Sequence, residues 1–369
     1  MRTPICERLG IEFPIFAFSH CRDVVAAVSR AGGYGVLGVL AFDPDQLEIE
    51  LAWIDEHCGG RPYGVDLVIP AKYLGKGGGA EATPEHLHSL IPKEHRDFVE
   101  RLLAEHGVGP LPDAGIPSTA GLNVDANAFD QLEISLAHGA SMVVNALGPP
   151  PPAVVEKAHA HGALVGALVG SRQHAERQVE IGVDVIVAQG TEAGGHCGEI
   201  STMVLVPEVV DAVGERAMVL AAGGIATGRQ MAAALALGAQ GVWTGSVWLT
   251  VADADTPEPA LQNLLAASSS DTVRARYITG KPARQLRSAW TDAWSRPDAP
   301  EPLPMPLQGI LWGEASRRFF RAGNRALANF PVGQIVGRLD TVRTTREVVL
   351  DMVTEAVETQ ERMAALFAQ

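Results

Sequence analysis

Short apolar runs, rich in β-branched residues, alternate with more polar segments along roughly the first 250 residues of the chain. The runs have the composition of strands that are buried on both faces, and they cover residues 13–19, 34–41, 63–70, 141–147, 163–170, 183–189, 218–222 and 241–248. Between most of them, apolar positions recur every three to four residues, which predicts helices at residues 23–31, 45–57, 153–161, 173–181 and 228–237. Alternating strand and helix predicts a parallel sheet, and about eight repeats favour closure into a (β/α)8 TIM barrel.

Two segments interrupt this alternation. Residues 71–123, after the third predicted strand, carry three consecutive glycines at 77–79, a polar helical stretch at 84–106 and a proline- and glycine-rich stretch, so we expect an insertion there. After about residue 253 no strand–helix repeat follows, and the pattern predicts helices near 260–268, 314–328 and 345–367 with a proline-rich connector at 297–306. The sequence therefore predicts a barrel over residues 1–250 and a helical subdomain, residues 251–369, packed on one side of it.

The charge balance narrows the range of partners. The formal net charge is -14 over 369 residues, which argues against nucleic acid or an anionic membrane as the main partner, because either favours a basic surface. No apolar run is long enough to span a membrane, and the charged N-terminal residues lack the apolar segment of a signal peptide. The four cysteines form neither a C-x-x-C pair nor a disulfide framework, which is typical of a reducing compartment. We expect a cytoplasmic protein.

The loop at residues 188–196 is the most informative stretch for chemistry. It follows a predicted strand and ends in a glycine pair, Gly194 and Gly195, directly before His196. The glycines allow positive φ angles and let a flat ligand approach the main chain closely. A histidine at this position can exchange a proton near neutral pH. Glu192, inside the loop, has two open functional roles, since its carboxylate could anchor the loop or contact a ligand, and a simple surface position is equally open.

Two later loops have the composition of a phosphate site. The seventh predicted strand runs into Gly223 and Gly224 directly before a helix, and the eighth runs into Gly245 and Ser246. In parallel barrels the active site lies at the carboxyl ends of the strands, and a phosphate commonly binds after the seventh and eighth. Glycine N–H groups are unobstructed by side chains, and Ser246 adds a hydroxyl, so the pair of loops predicts a phosphate cradle.

Taken together, residues 188–196, 221–225 and 241–246 resemble the nitronate monooxygenase family, formerly called 2-nitropropane dioxygenases, and the resemblance covers most of residues 13–250. Members of that family are FMN-dependent oxidoreductases on a TIM barrel. The resemblance implies that His196 is the active-site base or hydrogen-bond donor beside the flavin. It also implies a set of FMN-binding residues in three loops: Gln189, Gly190, Gly194 and Gly195 toward the ring and ribityl chain, and Gly223, Gly224, Trp243, Thr244, Gly245 and Ser246 toward the phosphate.

The sequence departs from the family pattern close to the expected flavin ring. Members usually carry a proline–methionine step after the first strand, where this chain reads Ala17, Phe18, Ser19 and His20, and an asparagine is common where Asp66 stands. The fifth strand often presents a lysine, which residues 166–171 lack. The resemblance implies that Ala17, Phe18 and Asp66 contact the flavin. An ionised Asp66 would disfavour the anionic reduced flavin by charge repulsion, so we expect Asp66→Asn to make the flavin easier to reduce.

The resemblance implies oxidation of alkyl nitronates with O2 to a carbonyl compound and nitrite, with no metal. The same core also resembles flavin enoyl reductases and quinone reductases, so the alternative is an FMN-dependent enoyl-thioester or acyl-CoA reductase or dehydrogenase, or an NAD(P)H:quinone reductase. A third hypothesis is a non-catalytic FMN-binding protein on the same barrel. The expected partners are a small-molecule substrate with O2 or NAD(P)H and a second copy in a homodimer, with neither nucleic acid nor membrane.

Overall fold

Parallel strands close into a barrel in the computed structural model, which describes residues 2–69, 84–111 and 124–367. The barrel strands, in their order around the barrel, are β1 (Ile15–Ser19), β2 (Tyr34–Gly38), β3 (Tyr63–Leu67), β4 (Met142–Asn145), β5 (Leu164–Val169), β6 (Val185–Gln189), β8 (Met218–Ala222) and β9 (Gly241–Thr244). Pairing of β9 with β1 closes the ring. Each predicted apolar run contains one of these strands, and the predicted (β/α)8 TIM barrel is confirmed.

Helices connect the strands and continue into the tail. They are α1 (Pro4–Leu9), α2 (Arg22–Arg30), α3 (Pro44–His57), α4 (Pro84–Ser89), α5 (Lys93–Glu105), α6 (Val124–Ala137), α7 (Pro152–Ala160), α8 (Arg172–Glu180), α9 (Thr202–Val213), α10 (Gly228–Ala236), α11 (Glu258–Ala266), α12 (Ala289–Trp294), α13 (Leu307–Arg321) and α14 (Thr345–Phe367). Two 3-10 turns span Ser246–Thr250 and Gln334–Arg338. Within the described ranges, no helix is both long and apolar enough to cross a membrane.

Side chains alternate between the barrel interior and the layer between strands and helices. Phe16 and Tyr34 pack inside the barrel, where Ile5 and Leu9 of α1 join them at its amino end. Their strand neighbours, such as Ile15, belong to the larger core between the sheet and the helices. The open end of the barrel at the carboxyl ends of the strands is called the mouth below. The alternation of side chains decides which residues near the ends of the strands face this mouth.

The insertion and the tail share a second hydrophobic core. The predicted helix at residues 84–106 is instead two helices, α4 and α5, separated at Pro92, because the residue before a proline is disfavoured in a helix. Phe98 of α5 packs in this core with Trp294 of α12 and Phe319 of α13. The glycines predicted to lie in this insertion at 77–79 fall outside the described residues.

The tail contains strands as well as helices. β10 (Thr272–Ala275) and β11 (Ala283–Leu286) form an antiparallel hairpin, and β11 pairs with a short strand of the barrel side, β7 (Gly195–His196). The helix predicted at 314–328 instead runs from Leu307 to Arg321. Its apolar residues at 307, 311, 315 and 319 lie on one face and pack into the second core.

The last helix returns to the barrel. α14 matches the prediction at 345–367, and it packs against α10 and α2. A Cβ at Gly228 would lie 2.2 Å from Met352 O, so the two helices approach closely only because this position is glycine. The domain boundary predicted at residue 250 stays a prediction, and the packing assigns α14 to the helix layer around the barrel.

Candidate active site

His196 lies on a strand that joins the barrel side to the tail. Gly195 pairs with Arg284, and His196 pairs with Ala283, in the antiparallel ladder between β7 and β11. β7 has only two residues, so the ladder and not local propensity makes it a strand. The position of the histidine is therefore set by the tail as well as by the barrel.

The His196 ring is partly buried and bonds to one residue of the hairpin turn. Its Nε2 lies 2.6 Å from Thr279 Oγ1. Burial, followed by the positive charge of Lys281, lowers the pKa of His196 to about 4. The ring is therefore neutral at physiological pH. In the part of the chain that the structure describes, no group bonds Nδ1, and this nitrogen is available to a ligand.

Polar contacts from both sides hold the loop before His196. The Glu192 carboxylate accepts hydrogen bonds from the Thr202 N–H at 3.0 Å and from the Thr202 hydroxyl at 2.9 Å. Arg284 Nε donates to Thr191 O at 2.8 Å, and Arg274 Nε donates to the next turn of the loop at Cys197 O. Of the two open roles for Glu192, the structure shows the anchoring one.

The glycines of this loop serve different purposes. A Cβ at Gly190 would lie 2.1 Å from Thr202 Oγ1, and a Cβ at Gly194 would lie 2.7 Å from Gly333 N. These two glycines therefore allow close packing against protein. Gly195 has φ +72°, and no atom of the described residues lies within 4 Å of its Cβ position, so this side can face a ligand.

The loop after β8 turns its carbonyl groups into the protein. Thr202 Oγ1 lies 2.9 Å from Gly223 O, where its one proton is shared between this carbonyl and the Glu192 carboxylate, and the Gln230 side chain donates to Gly224 O. Gln230 also forms a capping box with Thr227 that starts α10. Gly223 and Gly224 both have positive φ, at 98° and 70°, which only glycine adopts without strain. The loop thus brings a helix N-terminus to the mouth.

The loop after β9 completes a second edge of the same region. Ser246 Oγ accepts a hydrogen bond from Gly333 N at 2.8 Å, which leaves its own hydroxyl proton for another acceptor. In the described ranges, the N–H groups of Gly224 and Gly245 have no acceptor. A Cβ at Gly245 would meet no atom closer than Phe18 Cδ1 at 4.0 Å. The space beside Gly245 is open.

The residues predicted on β1 and β9 divide between the two sides of the sheet. Phe18 and Trp243 are on the inner side and stack with ring centroids 6.3 Å apart. Ala17 is buried between the barrel and the helices, so only its backbone can reach a ligand in the mouth. The Thr244 hydroxyl is likewise directed outward, where it donates to a β1 carbonyl at 2.9 Å and accepts from Trp248 Nε1.

Asp66 faces the barrel interior near the mouth, because its neighbours Val65 and Leu67 pack in the outer core. Its side chain is 2% exposed, and Oδ1 has no hydrogen-bond partner in the described part of the chain. Burial raises the pKa of Asp66 well above its ordinary value, which favours the protonated carboxyl group. The charge repulsion expected from an ionised Asp66 stays a prediction, and the raised pKa opposes the ionised form on which it depends.

His20 lies beside Asp66 at the same mouth. Gly38 is the register partner of Asp66, and a Cβ at Gly38 would lie 2.7 Å from the His20 ring. The ring therefore covers the inner side of Gly38, and its Nδ1 lies 2.9 Å from Gly38 O. Part of the His20 residue is exposed to solvent, and the protein atoms packed around its ring lower its pKa by desolvation. The sequence pattern assigned His20 no role, although its place directly after a predicted strand was a usable signal.

Thr279, Lys281 and Arg284 are the residues that sequence reasoning missed. They lie more than 80 positions after His196, in a segment predicted to be helical, and no motif links them to the loop. No group of three or more His, Cys, Asp or Glu within the described ranges is arranged to hold a metal ion.

The chain matches the family model described as nitronate monooxygenase over residues 2–355. A Mycobacterium tuberculosis protein named "Putative monooxygenase Rv1533" is 56% identical over 375 residues, which cover 99% of each chain. A Staphylococcus saprophyticus protein named "Probable nitronate monooxygenase" is 29% identical over 351 residues, 90% of this chain and 92% of that one.

A solved structure supports the same architecture. Nitroalkane oxidase from Streptomyces ansochromogenes superimposes with a TM-score of 0.80 at 24% identity and covers 97% of this chain and 99% of that one, which shows a shared fold. The family match extends from α1 into α14 and includes every loop of the site. The prediction of an oxidoreductase enzyme is confirmed. The chain belongs to the nitronate monooxygenase family.

Proposed function

We propose that the chain is an FMN-dependent nitronate monooxygenase, which oxidises alkyl nitronates with O2 to a carbonyl compound and nitrite. The observation that carries the proposal is the geometry of the His196 ring, with Nε2 bonded to Thr279 and no partner for Nδ1 among the described residues. The lowered pKa of His196, about 4, favours the neutral ring. A neutral imidazole can donate a hydrogen bond to an anionic oxygen without first gaining a proton. Family membership supports the reaction class.

The loops after β8 and β9 fit the phosphate of FMN. The free N–H groups of Gly224 and Gly245, the hydroxyl of Ser246 and the start of α10 offer several donors to one dianion. The open space beside Gly245 has room for a group larger than a side-chain hydrogen. The one stretch that reads G-x-G-x-x-G, residues 33–38, lies along β2 and not in a strand-to-helix turn, so it offers no pyrophosphate site, which supports FMN over FAD.

The inner side of the mouth fits the flavin ring and ribityl chain. Asp66 Oδ1 is a buried polar atom without a partner in the described residues, and the open side of Gly195 leaves space for a flat group. Gln189 ends β6 on the inner side, because Val187 packs inside the barrel. Bound there, FMN would accept electrons from the substrate and pass them to O2.

His196 would bind and orient the polar end of the substrate. Its free nitrogen can donate to a nitronate oxygen, where the negative charge lies, and partial burial strengthens this bond by excluding water. Lys281 adds a positive charge close enough to lower the pKa of His196, and the same charge favours an anionic substrate over a neutral one.

Anaerobic mixing tests the reaction directly. The purified protein is mixed separately with a preformed alkyl nitronate, NADH and NADPH while flavin absorbance is followed. We expect bleaching by the nitronate alone. Bleaching by NADH or NADPH without nitronate would instead favour the enoyl-thioester, acyl-CoA or quinone reductase alternatives. Stable yellow protein with every donor would favour the non-catalytic binding protein.

The cofactor has its own test. We expect the purified protein to be yellow and to release FMN and not FAD on denaturation, measured by chromatography of the released flavin. Colourless protein that cannot be reconstituted with FMN would refute the assignment. The cytoplasmic location and the homodimer stay predictions, which fractionation and light scattering can check.

A further inference from the structure

Thr279 is held firmly in the turn between β10 and β11. Tyr277 O accepts hydrogen bonds from Trp290 Nε1 at 3.1 Å and from the Gln308 side chain at 3.2 Å, which tie the turn to the second core. Gly280 has φ +83°, and a Cβ there would lie 2.3 Å from Leu303 O. The backbone on both sides of Thr279 is therefore fixed by packing that lies away from the barrel.

The Thr279 hydroxyl has three hydrogen-bond partners and a single proton. Lys281 N donates to Thr279 Oγ1 at 3.3 Å. The proton of the hydroxyl can go to His196 Nε2 at 2.6 Å or to Lys281 O at 3.5 Å. The 2.6 Å contact has the better hydrogen-bond distance for this proton. With the proton directed to the imidazole, Nε2 is an acceptor, and a neutral ring carries its own proton on Nδ1.

We propose that Thr279 is a positioning residue that holds His196 in the tautomer with the proton on Nδ1, so that the free nitrogen of the ring meets the substrate as a hydrogen-bond donor and not as a base. The consequence for the substrate rests on the proposed function. A nitronate already carries the negative charge that such a donor stabilises. A neutral nitroalkane must first lose a proton, and Nδ1 cannot accept it while it carries its own. Thr279 thereby selects nitronates over neutral nitroalkanes.

The tautomer can be measured without turnover. The FMN-loaded protein is labelled with 15N in its histidine rings, and two-bond 15N–1H correlation spectra report which ring nitrogen carries the proton. His196→Asn identifies the His196 signals by their loss. We expect wild type and Thr279→Ser, which keeps the hydroxyl, to show protonated Nδ1 and bare Nε2. Thr279→Val has nearly the same shape without the donor, and its spectrum should move toward protonated Nε2.

Kinetics supply a second readout. Losing one hydrogen bond of ordinary strength should lower kcat/KM for a preformed nitronate by up to about tenfold in Thr279→Val. The rate with the neutral nitroalkane should fall less, so the preference for nitronate narrows, and Thr279→Ser should restore it. Equal losses on both substrates would contradict a tautomer-selecting role and leave Thr279 a packing residue.

The outcomes separate the two proposals. Protonated Nε2 in wild type, or the same tautomer in wild type and Thr279→Val, overturns the role of Thr279. If Thr279→Val fails to fold, the wild-type and Thr279→Ser spectra still decide, because bare Nε2 is required in both. The expected tautomer together with no nitronate turnover would refute the proposed reaction while the assignment of Thr279 stands.

Discussion

The two sides of the barrel mouth present different chemical groups, main chain on one side and side chains on the other. On the barrel side, short loops after β6, β8 and β9 present backbone and glycine, with positive φ at Gly195, Gly223 and Gly224. On the tail side, the β10–β11 hairpin presents side chains, and Thr279 and Lys281 act on His196 from there. The barrel side offers the surface on which we propose that FMN binds, whereas the tail side contacts the histidine that we propose acts on the substrate.

The difference extends to what supports each side. The barrel loops continue directly from strands of the main core, but the hairpin rests on the second core, in which α5 of the insertion packs with α12 and α13. Changes in that second core can therefore reach His196 without touching the cofactor loops. This difference is tested by variants that change either FMN affinity alone or the behaviour of His196 alone.

The largest effect is expected at the point where the two sides meet. His196→Asn keeps a polar side chain of similar size, so FMN and the fold should be retained, while turnover falls by roughly 10²–10⁴, the usual range for a positioned acid, base or donor. Because Nδ1 is proposed to donate to a nitronate and not to deprotonate a nitroalkane, the loss should be larger with preformed nitronate than with neutral nitroalkane. Steady-state kinetics on both substrates and the flavin spectrum of the variant measure this.

A neighbouring substitution provides the control for His196. Cys197 follows His196 and is partly buried, and its Sγ makes only a long contact with Thr191 O at 3.6 Å. Cys197→Ser should keep nearly full turnover. Near-normal rates of His196→Asn on every active substrate would reduce this histidine to a packing residue and remove the proposed mechanism.

The next largest effect tests the barrel side alone. In Gly245→Val, the nearest described atom to the new Cβ is Phe18 Cδ1 at 4.0 Å, an ordinary contact, so we expect the fold to tolerate it, but the side chain would occupy the space assigned to phosphate. We expect the FMN dissociation constant to rise by at least about a hundredfold, since several charge-assisted hydrogen bonds would be displaced. Fluorescence titration of the apoprotein with FMN measures it.

Two further glycine-to-valine variants serve as comparisons for Gly245→Val. Gly109→Val adds the same side chain at another open glycine, in the insertion, and should leave FMN binding unchanged. Gly224→Val is a less clean test, because φ +70° strains any side chain and its Cβ would lie 3.3 Å from Glu192. If Gly245→Val binds FMN as tightly as wild type does, the phosphate lies elsewhere.

The same division explains what the sequence could predict. Barrel strands are buried on both faces, so each is a continuous apolar run that is visible without a structure. The loop that ends at His196 and the glycine loops are contiguous in sequence, and their glycines mark close approaches directly. β11 has no such apolar run in its sequence. It has only four residues, and two of them, Arg284 and Gln285, are buried although they are polar. Its strand character arises from pairing with β7 and β10.

The errors in the tail have identifiable local causes. Gly309 and Gly313 lie in the first half of α13, and glycine lowers helix propensity, which moved the predicted start beyond them. Burial of Leu307 and Leu311 in the second core outweighs that cost. The contact between His196 and Thr279 spans 83 positions and depends on this packing, so no local pattern could reveal it.

A smaller effect tests the tail side. Removing the charge in Lys281→Met should raise the pKa of His196 from about 4, because the positive charge disfavours the imidazolium. Burial, the larger cause, remains, so the pKa of His196 should stay below its ordinary value in Lys281→Met.

The pH dependence of activity measures this change. If the neutral ring is the active form, activity falls as the pH drops through the pKa of His196, and the acid limb of the profile should move to higher pH in Lys281→Met. Lys93→Met, which removes an exposed charge on α5, should not move it. An unmoved limb in Lys281→Met would mean that Lys281 does not act on His196.

The smallest effect concerns Asp66 and appears in stability. Its folded pKa is raised by burial, so above the ordinary range of aspartate the unfolded chain releases a proton that the folded protein keeps. Stability is therefore lost as pH rises from about 4 toward the folded pKa. The amide introduced by Asp66→Asn does not titrate in this range. The unfolding free energy of the variant minus that of wild type should therefore be smallest near about pH 4 and should increase as the pH rises.

Urea unfolding across this pH range measures the difference. Asp130→Asn, at an exposed position, is the control, and its difference from wild type should not increase with pH. A constant difference at every pH would mean that Asp66 ionises normally in the folded barrel, and the charge repulsion predicted between Asp66 and a reduced flavin would then stand.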